Sequence, residues 1–134
     1  MTRSEREKGR PAMIGLGIDA VDVVRFREVL ARRPGLSERL FTIGERSYAA
    51  RLADPAPSLA ARFAAKEATM KALGVGLGAF RWTDVEVERA DSGRPSLLLR
   101  GDAAALACLQ GVESWQVSLT HTASLAEAVV AALS

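Results

Sequence analysis

Alternation of apolar and polar side chains marks the strands of this chain. Residues 115–119 (WQVSL) alternate throughout, which is typical of a strand with one face toward water. Residues 13–18 (MIGLGI) are instead apolar throughout and predict a buried strand that Asp19 ends. The turn Ser92-Gly93-Arg94 predicts a hairpin between the segments on either side of it. The predicted strands are residues 13–18, 83–89, 95–100, 115–119 and 125–133.

Helical periodicity fills most of the remaining chain. Thr42, with Glu45 three residues later, forms a capping-box pattern that starts one helix. Ser58 is predicted to cap a long central helix, which the glycines at 74, 76 and 78 end. The other predicted helices are residues 21–33 and 101–111, with a turn or short helix at 36–40. This order predicts a single α+β domain in which a mainly antiparallel sheet packs against the central helix.

The first residues differ from the rest of the chain. Residues 1–12 are polar and charged, and we expect a disordered basic arm there, with the folded domain over residues 13–134. This segment lacks the apolar core of a signal peptide. No apolar run approaches the ~20 residues that cross a bilayer, so we expect a cytoplasmic protein without a membrane partner.

Small residues gather on one side of the central helix. At about 100° per residue, four of its alanines share one arc. They are Ala64, Ala65, Ala68 and Ala72. This arc lets another backbone approach closely, and Gly15 and Gly17 permit the same approach on the first strand.

Composition excludes several classes of site. Apolar residues make up 49% of the 134 residues and charged residues 25%, which is ordinary for a globular domain. The single cysteine, Cys108, excludes an internal disulfide and a cysteine-based zinc site, and we expect its thiol to be buried in an Ala/Leu helix. His121 is the only histidine, so a histidine-rich metal site is excluded as well.

Positive charge is concentrated in one part of the body. Residues 25–51 hold seven cations and three anions, a net charge of +4, although the whole chain carries only +2. A locally basic surface on a nearly neutral body indicates an acidic partner, and a solvated helix surface is the alternative.

Two pairs of charged residues on the central helix are candidates for chemistry. Glu67 and Lys71 are four residues apart and share one face, and Arg62 and Lys66 share another. They are either surface ion pairs or parts of a site. Asp19, after a buried strand, is either a ligand at the mouth of the sheet or a helix cap. Two carboxylates are the number and type of ligand that magnesium takes beside phosphates.

Several ordered motifs together resemble one known family. They are GLGIDAVDVVRF (15–26), FTIGE (41–45), ARFAAKEATMKALGVG (61–76), SGRP (92–95) and VSLTH (117–121). They look like the motifs of holo-acyl-carrier-protein synthases, the short phosphopantetheinyl transferases, and the resemblance covers residues 13–133. It implies transfer of 4′-phosphopantetheine from coenzyme A to a serine of apo acyl carrier protein, with magnesium, by an enzyme that is usually a trimer.

The resemblance also implies roles for individual residues. Asp19 and Glu67 match the magnesium ligands, and Lys71 is placed to reach the same phosphates. Arg25 on the first helix matches the position that docks the acidic carrier protein. Arg27 and Arg32 are further candidates for that docking surface.

Coenzyme A is expected to contact residues from several segments. They are Arg62, Lys66, Lys71, Gly74, Thr120 and His121. Thr120 stands where the family more often has serine. His121 is expected to bind a phosphate or help take the serine proton, with Lys or Glu side chains and a metal-bound water as rival bases; its structural alternative is a histidine satisfied at a strand end. In the family's trimer, His121 and the central helix would serve one site from different chains.

Two other functions are alternatives to this one. A noncatalytic module binding coenzyme A or a nucleotide would use the cations but would not need Asp19 together with Glu67. A nucleic-acid binder would use the basic arm, but Trp82 and Trp115 lie in apolar alternation that predicts core positions instead of a basic surface with interleaved aromatics. No nucleic-acid partner is therefore expected.

Overall fold

The computed structural model describes residue 10 and residues 12–134, so the predicted arm at residues 1–12 lies almost wholly outside the described residues. The strands are β1 (Met13–Asp22), β2 (Val85–Arg89), β3 (Pro95–Leu99), β4 (Ser114–His121) and β5 (Leu125–Leu133). The helices are α1 (Val23–Arg32), α2 (Leu36–Leu40), α3 (Ile43–Ala50), α4 (Ala56–Ala72) and α5 (Gly101–Leu109), with a 3₁₀ turn at Trp82–Asp84.

The strands form two antiparallel sheets around the central helix. The larger sheet has the order β1-β5-β4, and β2 and β3 form a hairpin. Helix α4 packs on the inner face of the larger sheet, where its alanines meet the buried side chains of β5. This arrangement confirms the predicted single α+β domain with antiparallel strands against a long central helix.

Backbone-to-backbone packing joins α4 to β1. A Cβ atom added at Gly17 would lie 1.8 Å from the carbonyl oxygen of Ala68, and one at Gly15 would lie 1.8 Å from that of Ala72. The predicted close approach is therefore confirmed on both elements, and they approach each other. Since this contact uses the alanine face of α4 inside the protomer, that face is not available for contact with another chain.

Strand β1 is longer than predicted. It continues three residues past Asp19 to Asp22, and Asp19 pairs with Ala128 of β5. The prediction that Asp19 ends the strand is wrong because both faces of β1 carry mostly apolar or small residues, which leaves no alternation to mark its end. Asp19 is consequently held at a fixed register in the interior of the strand.

The starts of two helices also differ from prediction. Helix α4 begins at Ala56, so Pro57 lies in its first turn and Ser58 is inside the helix, not its cap. Helix α1 begins at Val23 because the Asp22 carboxylate caps it, accepting a hydrogen bond from the Arg25 N–H at 2.9 Å. The capping box of Thr42 and Glu45 at the start of α3 is present as predicted.

One side chain expected inside is exposed. Cys108 on α5 faces solvent, because the buried residues of this helix are Ala103 and Ala107. Among the described residues, no helix has both the length and the apolar character needed to cross a membrane.

Candidate active site

The side chains of Asp19, Glu67 and Lys71 meet where β1 crosses α4. Asp19 faces α4 because it follows Gly15 and Gly17 at the two-residue period of a strand. Lys71, one turn after Glu67 on α4, donates to Asp19 Oδ1 at 3.0 Å and to the carbonyl of Ile18 at 2.9 Å. The Glu67 carboxyl lies near enough to Asp19 for that residue to raise its pKa. The structure thus brings together three residues that sequence reasoning placed in one site.

The positive charge of Lys71 does not fully offset the burial and mutual repulsion of the two carboxyl groups. Burial raises the pKa of Glu67 to about 7, and the adjacent Asp19 adds to the rise through a hydrogen bond and its charge, while Lys71 opposes it. The buried Oδ2 of Asp19 receives no hydrogen bond from the residues that the structure describes. A proton or a cation between the carboxyl groups would satisfy this oxygen.

The donor set fits magnesium. This ion takes one or two protein carboxylates and fills its remaining positions with water and phosphate oxygens. Within the described part of the chain, no cluster of three or more His, Cys, Asp or Glu side chains is placed to hold a metal. A cation at Asp19 and Glu67 would therefore need ligands from water or a substrate.

A pocket opens beside these carboxyl groups. It has a volume of about 220 Å³ and is lined by Glu67, Met70, Lys71, Gly76, Leu77 and Trp82, together with Val75. We refer to it as the carboxylate pocket. Its walls are mostly apolar, so a ligand there would meet charge only on the side of Glu67 and Lys71.

Gly74 ends α4 and does not line this pocket. Its N–H donates to the carbonyl of Lys71 at 3.1 Å, and the N–H of Val75 donates to that of Met70 at 3.0 Å. These paired bonds form a Schellman motif, which the positive φ of 70° at Gly74 allows. The glycine that lines the carboxylate pocket is Gly76. The contact of Gly74 with coenzyme A stays a prediction.

Lys66 lies in the interior, away from any surface where a phosphate could bind. Its side chain is 0% exposed, and Nζ pairs with Glu45 Oε1 at 2.8 Å, also 0% exposed. Nζ also donates to the carbonyls of Trp82, at 3.0 Å, and Val85. Burial lowers the pKa of Lys66, and the Glu45 carboxylate opposes that shift. The Lys66 ammonium is therefore occupied by contacts inside the protein, which do not favour the contact with coenzyme A phosphates; that contact stays a prediction.

Arg62 lies on the floor of a cleft of about 590 Å³ that we call the arginine cleft. Its guanidinium stacks on the Tyr48 ring at 4.4 Å, and those of Arg51 and Arg89 lie within 6 Å of the same ring. Glu86, Glu88 and Asp91 also line this cleft. Sequence reasoning missed Tyr48, Arg51 and Arg89 as a group, because they come from α3 and β2 and no spacing along the chain relates them.

His121 belongs to a neighbouring cleft of about 330 Å³, which shares Tyr48 and Arg89 with the arginine cleft and includes Ser58. Glu67 lies nine residues beyond Ser58 on α4, which is about 13 Å at 1.5 Å per residue. Thr120 faces the opposite side of the sheet from His121, since successive residues of β4 alternate. Within one protomer, His121 and Thr120 therefore serve neither the same surface nor the carboxyl pair.

The predicted docking arginines occupy two sides of α1. Arg25 borders an apolar pocket of about 290 Å³, which we call the α1 pocket, together with Val21, Phe26, Phe63 and Trp82. Arg32 is seven residues from Arg25 and shares its face. Arg27 lies on the other side and pairs with Asp54 at 2.6 Å. The structure therefore groups Arg32 with Arg25 and separates Arg27 from both.

Known proteins resemble this chain in sequence over most of its length. Residues 15–131 match the model of the 4'-phosphopantetheinyl transferase superfamily. The holo-[acyl-carrier-protein] synthase of Streptomyces avermitilis is 51% identical over 121 residues, which cover 90% of this chain and 98% of that protein. The synthase of the same name from Moorella thermoacetica is 45% identical over 117 residues, covering 87% and 91%.

Solved structures resemble the fold equally well. The holo-[acyl-carrier-protein] synthase of Neisseria meningitidis gives a TM-score of 0.82 at 26% identity, over 90% of this chain and 98% of that one. The Helicobacter pylori synthase in complex with coenzyme A gives 0.76 at 28% identity, over 89% and 99%. The shared fold and the matching sequence over nearly the whole chain show that the chain belongs to the 4'-phosphopantetheinyl transferase superfamily.

Proposed function

We propose that this protein is a holo-acyl-carrier-protein synthase that transfers 4′-phosphopantetheine from coenzyme A to a serine of apo acyl carrier protein. The serine oxygen gives its proton to a base and bonds to the β-phosphorus as the bond from that phosphorus to the bridging oxygen breaks, and 3′,5′-ADP leaves. The observation that carries the proposal is the pair of facing carboxyl groups, Asp19 and Glu67, with Lys71 beside them. A noncatalytic binding module would have no use for two carboxyl groups held this close.

Magnesium is the cation that this pair would hold. When bound, it would neutralise charge on the pyrophosphate oxygens. Asp19, fixed in the strand, supplies a carboxylate oxygen that lacks a donor among the described residues. Lys71 keeps its ammonium half exposed at the same point, where it can bind a phosphate oxygen and stabilise developing negative charge.

The arginine cleft is our candidate for the nucleotide end of coenzyme A. Arg51 and Arg89 are exposed beside the Tyr48 ring, on which the buried Arg62 stacks, and exposed guanidinium groups bind phosphate well. His121 borders the adjoining cleft. Because the cleft of His121 meets α4 at Ser58, about 13 Å along the helix from Glu67, we propose that the nucleotide and the reacting phosphate are bound by different chains, with His121 contributed by a neighbouring protomer.

A homotrimer is part of this proposal. The outer face of the three-stranded sheet exposes large apolar side chains, including Leu16 at 58% and Ile18 at 61%, with Val129 paired beside Ile18. An apolar sheet face of this kind is suited to burial against further copies. Sedimentation should therefore give a trimer, and a fully active monomer at assay concentration would contradict this assignment. The cytoplasmic location stays a prediction.

Carrier docking is assigned to Arg25 and the α1 pocket. Val21 and Phe63, which line the pocket, are close to the active pair along their own elements: Val21 is two residues after Asp19 on β1, and Phe63 is four residues before Glu67 on α4. An acidic carrier that pairs with Arg25 and fills the apolar pocket would hold its serine one helical turn from the carboxyl groups. This closeness supports an acidic carrier protein as the partner.

The direct test is the intact mass of the carrier. An apo acyl carrier protein incubated with this protein, coenzyme A and magnesium should gain one phosphopantetheine group and release 3′,5′-ADP. Omitting magnesium should abolish the gain. Binding of coenzyme A without any mass gain, on several apo carriers that a control synthase modifies, would favour the noncatalytic binding module instead.

A further inference from the structure

The indole of Trp82 separates two pockets that the proposed reaction uses in succession. It lines the α1 pocket on one side and the carboxylate pocket on the other. Its ring centroid is 5.0 Å from that of Phe63, which in turn stacks on Phe26 at 5.3 Å. Trp82 thus forms the wall between the surface at Arg25 and the pocket at Glu67.

The backbone at Trp82 is held from the interior. Lys66 donates to the carbonyls of Trp82 and Val85, at the two ends of the 3₁₀ turn. Glu45, which balances the charge of Lys66, also accepts from the N–H groups of Thr42, at 3.0 Å, and Val87, at 3.0 Å. The turn is therefore fixed to both α4 and α3, while the indole remains only partly buried.

A group entering the active site from the α1 pocket passes this wall. Phe63 of the α1 pocket and Glu67 of the carboxylate pocket are one turn of α4 apart, and both pockets contact Trp82, so the two pockets adjoin. Trp82 lines both, and a third cleft of about 450 Å³ near Leu77 and Arg39 meets the same indole. A fixed aromatic face at such a junction can orient a substrate segment at low entropic cost, because the indole has only two side-chain torsions.

We propose that Trp82 is a positioning residue that guides the serine-bearing segment of the carrier protein from the α1 pocket to the carboxyl pair. The inference rests on the proposed function, since it assumes that a carrier docks at Arg25. Trp82 is therefore expected to affect the reaction with the carrier protein. It is not expected to affect the binding of coenzyme A, whose nucleotide is assigned to the arginine cleft.

The kinetic test compares Trp82→Ala and Trp82→Phe with a matched control. Trp115→Phe is that control, because Trp115 packs in the core under β4 and lines none of the pockets described here. Trp82→Ala should lower kcat/KM for the carrier by at least about tenfold and leave KM for coenzyme A within about twofold. Trp82→Phe should restore most of the loss by keeping an aromatic face. Equal losses for both substrates, or none for the carrier, would overturn the proposal.

Fluorescence gives a second readout that needs no turnover. The chain has two tryptophans, so Trp115→Phe leaves Trp82 as the only one. An apo carrier whose modified serine is replaced by alanine should shield Trp82 from acrylamide quenching, whereas 3′,5′-ADP alone should not. Unchanged quenching at saturating carrier would overturn the proposal. Failure of the wild-type protein to modify any carrier would instead contradict the proposed function itself.

Discussion

At the scale of single residues, the molecule uses its charges in two opposite ways. Lys66 is wholly enclosed with Glu45 and holds the structure together, whereas Lys71, five residues later, is half exposed beside Asp19. Their spacing on the helix turns them to different sides of α4. The helical period predicts from sequence which face of α4 each lysine occupies. It does not predict that α3 and β2 cover the face of Lys66.

Removal of the Lys66 charge should strongly destabilise the fold. Lys66→Met leaves the Glu45 carboxylate buried without its cation, and breaking one side of a buried pair costs about 3–5 kcal/mol. Urea denaturation measures the loss. Arg94→Met, at an exposed turn position, is the control and should change stability by less than about 0.5 kcal/mol. A Lys66→Met protein as stable as the control would show that the pair is not holding the turn at Trp82.

Asp19 adds to the rise that burial causes in the pKa of Glu67. In the metal-free protein, Asp19→Asn should lower the pKa of Glu67 from about 7, because the neighbouring negative charge is gone while burial remains. A carboxyl-resolved NMR titration measures this directly, with Asp91→Asn in an exposed turn as the control. A Glu67 pKa unmoved by Asp19→Asn would mean that burial alone accounts for the rise.

The same pKa shift has a consequence for stability. Glu67 keeps a proton in the folded state that an ordinary glutamate loses near pH 4.5, so the folded protein binds more protons between about pH 4.5 and 7. Its contribution to stability is therefore present below pH 4.5 and is lost as pH rises toward 7. Asp19→Asn should flatten this part of the stability profile.

At the scale of elements, the contact between β1 and α4 determines where the active-site side chains lie. Gly15 and Gly17 let the strand sit directly on the carbonyls of Ala72 and Ala68. This close packing brings the next inward residue of β1, Asp19, onto the face of α4 that carries Glu67. The small residues are therefore part of the active-site geometry as well as of the core.

Gly17→Ala should disrupt this contact. The added methyl would fall 1.8 Å from a backbone oxygen that cannot rotate away, so β1 and α4 must separate. We expect a loss of at least about 2 kcal/mol in the free energy of unfolding. Gly76→Ala is the matched control, because nothing lies within 4 Å of the added atom there. Equal stabilities in the two variants would refute the close packing.

Sequence patterns predicted the elements well where local signals exist. The final strand and the Thr42–Glu45 capping box were expected where they occur, because alternation and capping are local. The continuation of β1 past Asp19 depends on pairing with β5, which no local pattern records. The cluster of Arg62, Arg51 and Arg89 around Tyr48 likewise depends on contacts between separate elements.

At the scale of the whole molecule, three surfaces differ in their chemistry. The outer sheet face is apolar, the arginine cleft places arginines beside carboxylates, and α1 presents Arg25 beside an apolar pocket. Each surface has a different chemistry and would take a different occupant: another copy, a nucleotide and an acidic carrier. The family resemblance predicted these partners, and the structure adds the surfaces suited to them.

Charge reversal at Arg25 tests the carrier surface. Arg25→Glu should raise KM for the carrier by at least about tenfold, equivalent to about 1.4 kcal/mol, and flatten its salt dependence. KM for coenzyme A should not change, because the arginine cleft is on another part of the molecule. Arg94→Glu makes the same charge change on the β2–β3 hairpin and is the control. Similar effects from both variants would mean that net charge, and not the α1 surface, guides the carrier.

The central claim is that Asp19 and Glu67 form the centre of phosphopantetheine transfer. Its most direct test is the rate of mass gain of an apo carrier with coenzyme A, magnesium and either wild-type protein, Glu67→Ala or the exposed control Glu113→Ala. Folded Glu67→Ala should be at least about a hundredfold slower, a loss of about 2.7 kcal/mol of transition-state stabilisation, with the control unchanged. Near-normal transfer by a folded Glu67→Ala protein would contradict the claim.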